Sequence, residues 1–542
     1  MSRHEAVVSA GVVFVIAIVV RWYAASLVVF PRPEDTAYYV DVARNLLGGR
    51  GLVSDALWSY QTAPLVIPRP AFEVWLPLPT FAAALPMAVF GPSFEAAQVS
   101  SIVIGALVPV LAWRLAADVA EERRLPPGRA RTLAIGTGVT AGVSLPLILH
   151  STLPDSTMPF AALTLAAVLL MSRLRSRIAR DGAVDGSTAW LVALGLILGL
   201  AALTRNEALW LGLVWAALAI GLPIAGRDRL AAVAIPAVVA LVVFAPWLIR
   251  DQLAFGSPLP GQALSNALSI DGTDIFAWQD PPTLGRYLAI GLPRLLDLRI
   301  TGIGHNLFDV LLLPGAPLSF IGLAGLPWAA RLRSLQPLAL VSVAMFLVTA
   351  LVFPVSTTWG TFLHAAGAIH VLLIVSALLA LDALIAAVGW RRGWYRPVAW
   401  LAPTLTVSGA ILFSALLLPS FGEASLLTLR RFVDLDLRLD EIGLTAEASR
   451  PLITDTPIWL PYTHGGTALA LPYESPSSVL DLARRFHAPA VVTLTGDHPF
   501  RAAIATGDDP AAGCFEDITP PATTALGGDD ADLLRVYRVS CP

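Results

Sequence analysis

Residues 6–30, AVVSAGVVFVIAIVVRWYAASLVVF, run directly into residues 31–49, PRPEDTAYYVDVARNLLGG. The first stretch is longer than the apolar region of a secretory signal, roughly 7–15 residues, and no small-residue cleavage site precedes the polar turn. It reads as a retained first membrane span, long enough to cross a hydrocarbon core of about 30 Å as a helix. The second stretch is then the first segment on the far side, and the rest of the chain follows from that assignment.

Composition supports a membrane solvent. Of 542 residues, 56% are hydrophobic and only 14% charged, with a mean hydropathy of +0.70. An ordinary soluble domain carries about a quarter charged residues. All basic side chains are arginine, and the formal net charge of -3 leaves no concentrated basic face for nucleic acid. The two cysteines, Cys514 and Cys541, exclude a cysteine-ligated cluster and allow at most one disulfide.

About eleven spans are expected: 7–30, 95–117, 132–149, 158–172, 188–204, 207–225, 230–249, 305–330, 336–354, 363–388 and 398–418. With the N-terminus in the cytoplasm, Arg3, Arg123, Arg124, Arg129, Arg131, Arg173, Arg175, Arg177, Arg180, Arg227, Arg229, Arg331, Arg333, Arg391, Arg392 and Arg396 share one side, as positive-inside asymmetry requires. The protein is therefore expected in the cell membrane as a multi-pass chain. Residues 1–419 form its transmembrane region, with 31–94 as the first outer loop. The stretch 71–91, carrying Pro77, Pro79 and Pro86, reads as helices on the membrane surface, because counting it as a span would reverse every later arginine. From 420 to 542 turn residues and acids increase, and a helix over 477–486 followed by the buried strand pattern 490–494 predicts a small extracytoplasmic α/β domain. The expected fold class is thus an all-α polytopic membrane protein with a C-terminal α/β domain.

The outer segments hold the unusual chemistry. After Glu34-Asp35, Tyr39, Val42, Ala43, Leu46 and Leu47 recur at helical spacing until Gly48-Gly49. A helix cap accounts for Asp35 or Thr36 as readily as a reaction does. Asp155 occupies a turn between two spans and has the same alternative. Arg205 and Glu207 sit in a tight connection, where an ionisable pair marks function or pins a hairpin. Arg250 follows Pro246-Trp247 at a span end, where a planar guanidinium suits a phosphate or simply anchors the boundary. His364 lies at another outer mouth and is either interfacial or in touch with substrate.

Together these residues resemble the GT-C superfamily of multi-span glycosyltransferases, especially the branch of protein O-mannosyltransferases and the lipid A aminoarabinose transferase. Residues 35–49, DTAYYVDVARNLLGG, look like the family's acidic motif, aromatic helix and glycine stop. Phe90-Gly91, Asp155, the run 199–205, GLAALTR, and Pro246-Trp247 with Arg250 and FGSP at 255–258 support it. The resemblance implies transfer of mannose or another monosaccharide from a polyprenyl-phosphate donor to a lipid, glycan or protein acceptor, with inversion. Asp35 is then the general base, and Glu34, Tyr39, Asp155, Arg205, Glu207, Arg250 and His364 contact substrate. Many relatives carry Asp-Glu at the first motif, whereas here Thr36 follows Asp35. No required metal is expected, and a divalent ion remains the alternative. A transporter or lipid flippase is the competing function, although no internal repeat of the kind such proteins show is evident.

Overall fold

The structure, a computed structural model, describes residues 3–394, 398–446, 450–521 and 533–541. Arg396, counted above among the basic connections, lies outside them. The first span is helix α1 (Arg3–Leu27). Its successor α2 (Glu34–Leu47) starts after Pro33 and stops at Gly48, whose N–H bonds back to the Arg44 carbonyl. A loop follows with strands β1 (Val53–Ser54), β2 (Ala56–Leu57) and β3 (Arg69–Pro70), and then α3 (Leu78–Phe90). At 13 residues, or about 20 Å, α3 is short for a crossing.

The membrane region continues with α4 (Phe94–Glu122), α5 (Pro127–Gly142), α6 (Leu145–Ser151), α7 (Thr157–Asp181), α8 (Thr188–Ala202), α9 (Ala208–Ile220) and α10 (Gly226–Phe255). Short helices α11 (Ala263–Leu268), α12 (Leu284–Ala289) and α13 (Gly291–Gly304) fill the next connection. After a π-helical stretch at His305–Leu312 come α14 (Leu318–Ala329), α15 (Gln336–Val352), α16 (Thr361–Ala365), α17 (Gly367–Arg391) and α18 (Leu401–Glu441).

Seven of the described helices are long and apolar enough to cross a membrane, and α5 with α6, bent by 54°, makes an eighth. The three other expected spans fall on the shorter α9, α14 and α15. The bend follows from Pro146, which has no N–H to continue the helix and sits in the first turn of α6. Helix α17 is central, with every residue from Gly367 to Leu379 buried.

The sequence change expected at 419/420 falls inside α18, which runs unbroken through Pro419. Its last turns bury Phe432, Leu435 and Leu439 against the C-terminal region. That region adds β4 (Leu452–Thr454), α19 (Trp459–His464), β5 (Ala468–Ala470), α20 (Pro476–Phe486), β6 (Ala490–Thr493), α21 (Pro499–Thr506), β7 (Phe515–Asp517) and β8 (Arg535–Val539). The sheet order is β2-β5-β4-β6-β8-β7. The first four strands are parallel, and β8 runs antiparallel to both neighbours. Its edge strand β2 comes from the first outer loop, so loop and tail share one sheet. Cys514 and Cys541 are joined in a disulfide.

Candidate active site

Three connections between helices converge beside the start of α2. Asp35, in the first turn, accepts only the N–H of its neighbour Thr36 from the backbone, and no side chain caps the helix. Its other oxygen, Oδ2, lies 2.9 Å from Nε2 of His364. His364 arrives on α16, a single turn entered through Gly360 at φ +110°. Only glycine adopts that conformation without strain, and a Cβ there would sit 3.4 Å from the imidazole. On its other edge, Nδ1 of His364 is 2.8 Å from Thr157 Oγ1 and 3.5 Å from Asp155 Oδ2.

Asp155 is fully buried at the side chain and caps α7 by accepting the Thr157 N–H at 2.7 Å. It therefore fills the capping role that its position suggested. His150, at the end of α6, faces the same carboxylate at 3.8 Å. Burial alone would push Asp155 up, but the facing His150 and His364 imidazoles hold it below the usual carboxylate range. Burial pulls His364 down, and this is outweighed by Asp35 and Asp155, which push it up to about 10. The imidazole is thus a cation at neutral pH, with both ring N–H groups donating.

Arg205 braces the carriers of these groups. Its guanidinium pairs with both oxygens of Glu207 at 3.1 and 2.7 Å, and donates to Ser156 Oγ at 2.8 Å and to the Thr361 carbonyl at 2.9 Å. Tyr39, fully buried one turn beyond Asp35, directs its hydroxyl at Ser156. The structure therefore gathers Asp35, Tyr39, Asp155, Arg205, Glu207 and His364.

Two expected members lie elsewhere. Glu34 turns away from its neighbour and accepts the backbone N–H groups of Ile458 and Trp459, and burial pushes it up to about 8. Arg250 pairs with Asp251 at 2.9 Å and stacks over Trp247 and Phe255. Sequence reasoning did not single out His150, Ser156, Thr157 or Thr361. The signal for His150 was its place just ahead of the Asp155 turn.

His150, Asp155 and His364 each present a ligand atom, all within 4.8 Å of one another. Two imidazoles and a carboxylate are a donor set for a zinc-like ion. His150 Nδ1 and Asp155 Oδ2 are buried without a hydrogen-bond partner among the described residues. These residues fit a divalent cation with His364 in its neutral form, so that the ion and the second ring proton exclude each other.

No family model and no curated protein matches the chain. Solved structures do. ArnT from Cupriavidus metallidurans bound to undecaprenyl phosphate aligns over 97% of both chains, with a TM-score of 0.54 and 15% identity. The archaeal oligosaccharyltransferase AglB from Archaeoglobus fulgidus, in complex with an inhibitory peptide and a dolichol-phosphate, aligns over 90% of this chain and 69% of its own, with a TM-score of 0.52 and 14% identity. A complex of the Archaeoglobus fulgidus oligosaccharyltransferase with Zn and sulfate aligns over 94% and 72%, at 0.51 and 16%. The polytopic helical core with its C-terminal α/β region therefore shares the fold of ArnT and of the archaeal oligosaccharyltransferase.

Proposed function

We propose that this chain is a membrane glycosyltransferase that moves a monosaccharide from a polyprenyl-phosphate donor to an acceptor hydroxyl, with inversion. The observation that carries the reading is the line Asp35–His364–Asp155, which runs from a partly exposed carboxylate to a buried one, in a fold whose solved examples bind undecaprenyl phosphate and dolichol-phosphate. The reacting face is read as extracytoplasmic, with the N-terminus cytoplasmic. Residues 1–419 are read as the catalytic region and 420–542 as an outer domain that supports it.

The acceptor oxygen attacks the anomeric carbon, the bond from that carbon to the phosphate oxygen breaks, and the electron pair leaves with polyprenyl phosphate. Asp35 takes the acceptor proton as general base. A phosphate leaves without protonation, so one carboxylate suffices, unlike the pair used in glycoside hydrolysis. His364, held as a cation by Asp155, orients Asp35 through the 2.9 Å contact. Arg205, which touches the segments carrying Asp155 and His364, supplies donors to the charge growing on the phosphate.

A second reading puts a divalent cation in place of the second His364 proton, favoured by His150 Nδ1 and Asp155 Oδ2, which have no hydrogen-bond partner among the described residues. Held by His150, Asp155 and His364, it would supply positive charge for the phosphate. Loss of turnover in chelator, restored by zinc or manganese, supports that addition.

The primary test incubates purified protein with a panel of polyprenyl-phosphate sugars and measures released polyprenyl phosphate. Asp35→Asn should lower turnover by about 10²–10⁴-fold with folding and donor binding intact. Near-normal turnover in that variant would sink the assignment, and vesicle accumulation of substrate without a glycosylated product would favour a transporter.

A further inference from the structure

Arg21 stands within the first span, six residues, or about 9 Å, before the end of α1. It is fully buried. A guanidinium inside the bilayer is expensive unless it faces the protein interior and finds acceptors there. Arg21 Nη1 donates to the Gly142 carbonyl at 3.0 Å and to the Ala17 carbonyl at 3.3 Å, while Nε donates to Ser151 Oγ at 2.9 Å. Nη2 has no hydrogen-bond partner among the described residues.

Gly142 is the last residue of α5 and Ser151 the last of α6. One side chain thus ties together the two arms of the broken span. The Gly142 carbonyl is at a helix C-terminus, where carbonyls lack intrahelical partners and the helix dipole favours a cation. Helix α4 closes the arrangement from the other side. A Cβ on Gly105 would lie 2.2 Å from Ser151 Oγ and 3.3 Å from Arg21 Nε, so these two side chains occupy the space left by that glycine. From the same helix, Gln98 Nε2 donates to the Thr152 carbonyl at 2.9 Å and to the Val28 carbonyl at 3.0 Å. The residue immediately before Ser151 is His150, and Asp155 follows four residues after it.

We infer that Arg21 is a positioning residue for the reacting centre: it locks the break between α5 and α6 so that His150 and Asp155 face His364. The inference rests on the transferase reading of that cluster. Arg21 touches none of the reacting groups itself and acts through the turn from His150 to Asp155. A displacement of about 1 Å in such a turn is enough to cost a hundredfold in rate.

A double-mutant cycle between Arg21→Met and His150→Gln tests this, with kcat and the donor KM measured separately. Arg21→Met should lower kcat about tenfold to a hundredfold and leave KM near its original value. Arg21→Lys, which keeps a cation at the carbonyls, should recover part of the loss. The double variant should lose less than the product of the two single losses, because Arg21 acts in part by placing His150. Gly105→Ala, whose methyl displaces Ser151, should reproduce the pattern and replaces Arg21→Met if that variant fails to fold. Losses that multiply, or a rise in KM with kcat intact, overturn the positioning role while leaving the transferase reading standing. Absence of turnover by the unaltered protein with every donor overturns both.

Discussion

Nε2 of His364 and Oδ2 of Asp35 lie 2.9 Å apart, although the two residues come from opposite ends of the membrane region. The contact turns a carboxylate that could have been a helix cap into half of an ion pair. His364 is raised by this pairing, so its charge contributes stability that is fully present below the ordinary imidazole value of about 6.5. That contribution is lost as pH rises through the folded value of about 10. The melting temperature should therefore decline between about pH 6.5 and 10, and His364→Gln should make that decline shallower, most plainly above pH 8 where Glu34 no longer contributes. The same substitution should reduce turnover by about tenfold or more at pH 7, measured as polyprenyl phosphate release. An unchanged slope in the variant would assign the pH dependence to another group.

Arg205 makes four hydrogen bonds with one planar fork, two of them to Glu207. Lysine offers a single ammonium and cannot reproduce that geometry. Arg205→Lys should lower kcat/KM by about 10–100-fold and reduce the melting temperature by a few degrees, since Ser156 and the Thr361 carbonyl lose their shared partner. Wild-type kinetics in this variant would mean that Arg205 acts only as a point charge.

Much of this site was legible because it is local. The stripe from Tyr39 to Leu47 and the Gly48 stop define α2, and Asp155 stands out between two spans. The pairing of Asp35 with His364 was not legible, since no periodicity links residues so far apart in the chain. Glu34 and Asp35 are adjacent and acidic, yet the helix directs one toward Trp459 and the other toward His364. The strand Ala56–Leu57 has too few residues to show alternation and exists through its pairing with Ala468–Leu469. The turn residues and acids from 420 onward suggested an end to the last span at 418, but tertiary packing of Phe432, Leu435 and Leu439 carries α18 onward.

That shared sheet makes the first outer loop depend on the tail. Leu57 is fully buried among Ile453, Leu469 and Val491 of the C-terminal core. Leu57→Ala should cost about 2–5 kcal/mol. The loss should appear as earlier proteolytic cleavage within residues 50–70 and as reduced turnover with Asp35 unaltered. Undiminished protease resistance would show that the loop holds its shape without the sheet.

Glu34 gives the opposite test of charge. Burial and the neighbouring Asp455 and Asp35 carboxylates push it up, the backbone N–H groups of Trp459 and Ile458 pull it partly back, and the balance leaves it raised from an ordinary 4.5 to about 8. A carboxyl raised in this way contributes stability below pH 4.5 that is lost as pH climbs to about 8, because the unfolded chain ionises first. Glutamine keeps the oxygen that accepts the Trp459 N–H and never ionises. Glu34→Gln should therefore leave the melting temperature near its wild-type value at pH 4.5 and raise it by about 2–4 °C at pH 8. Thermal unfolding across that range decides the matter: a variant less stable at pH 8 would mean that Glu34 is ionised in the folded protein and that its charge holds α19 in place.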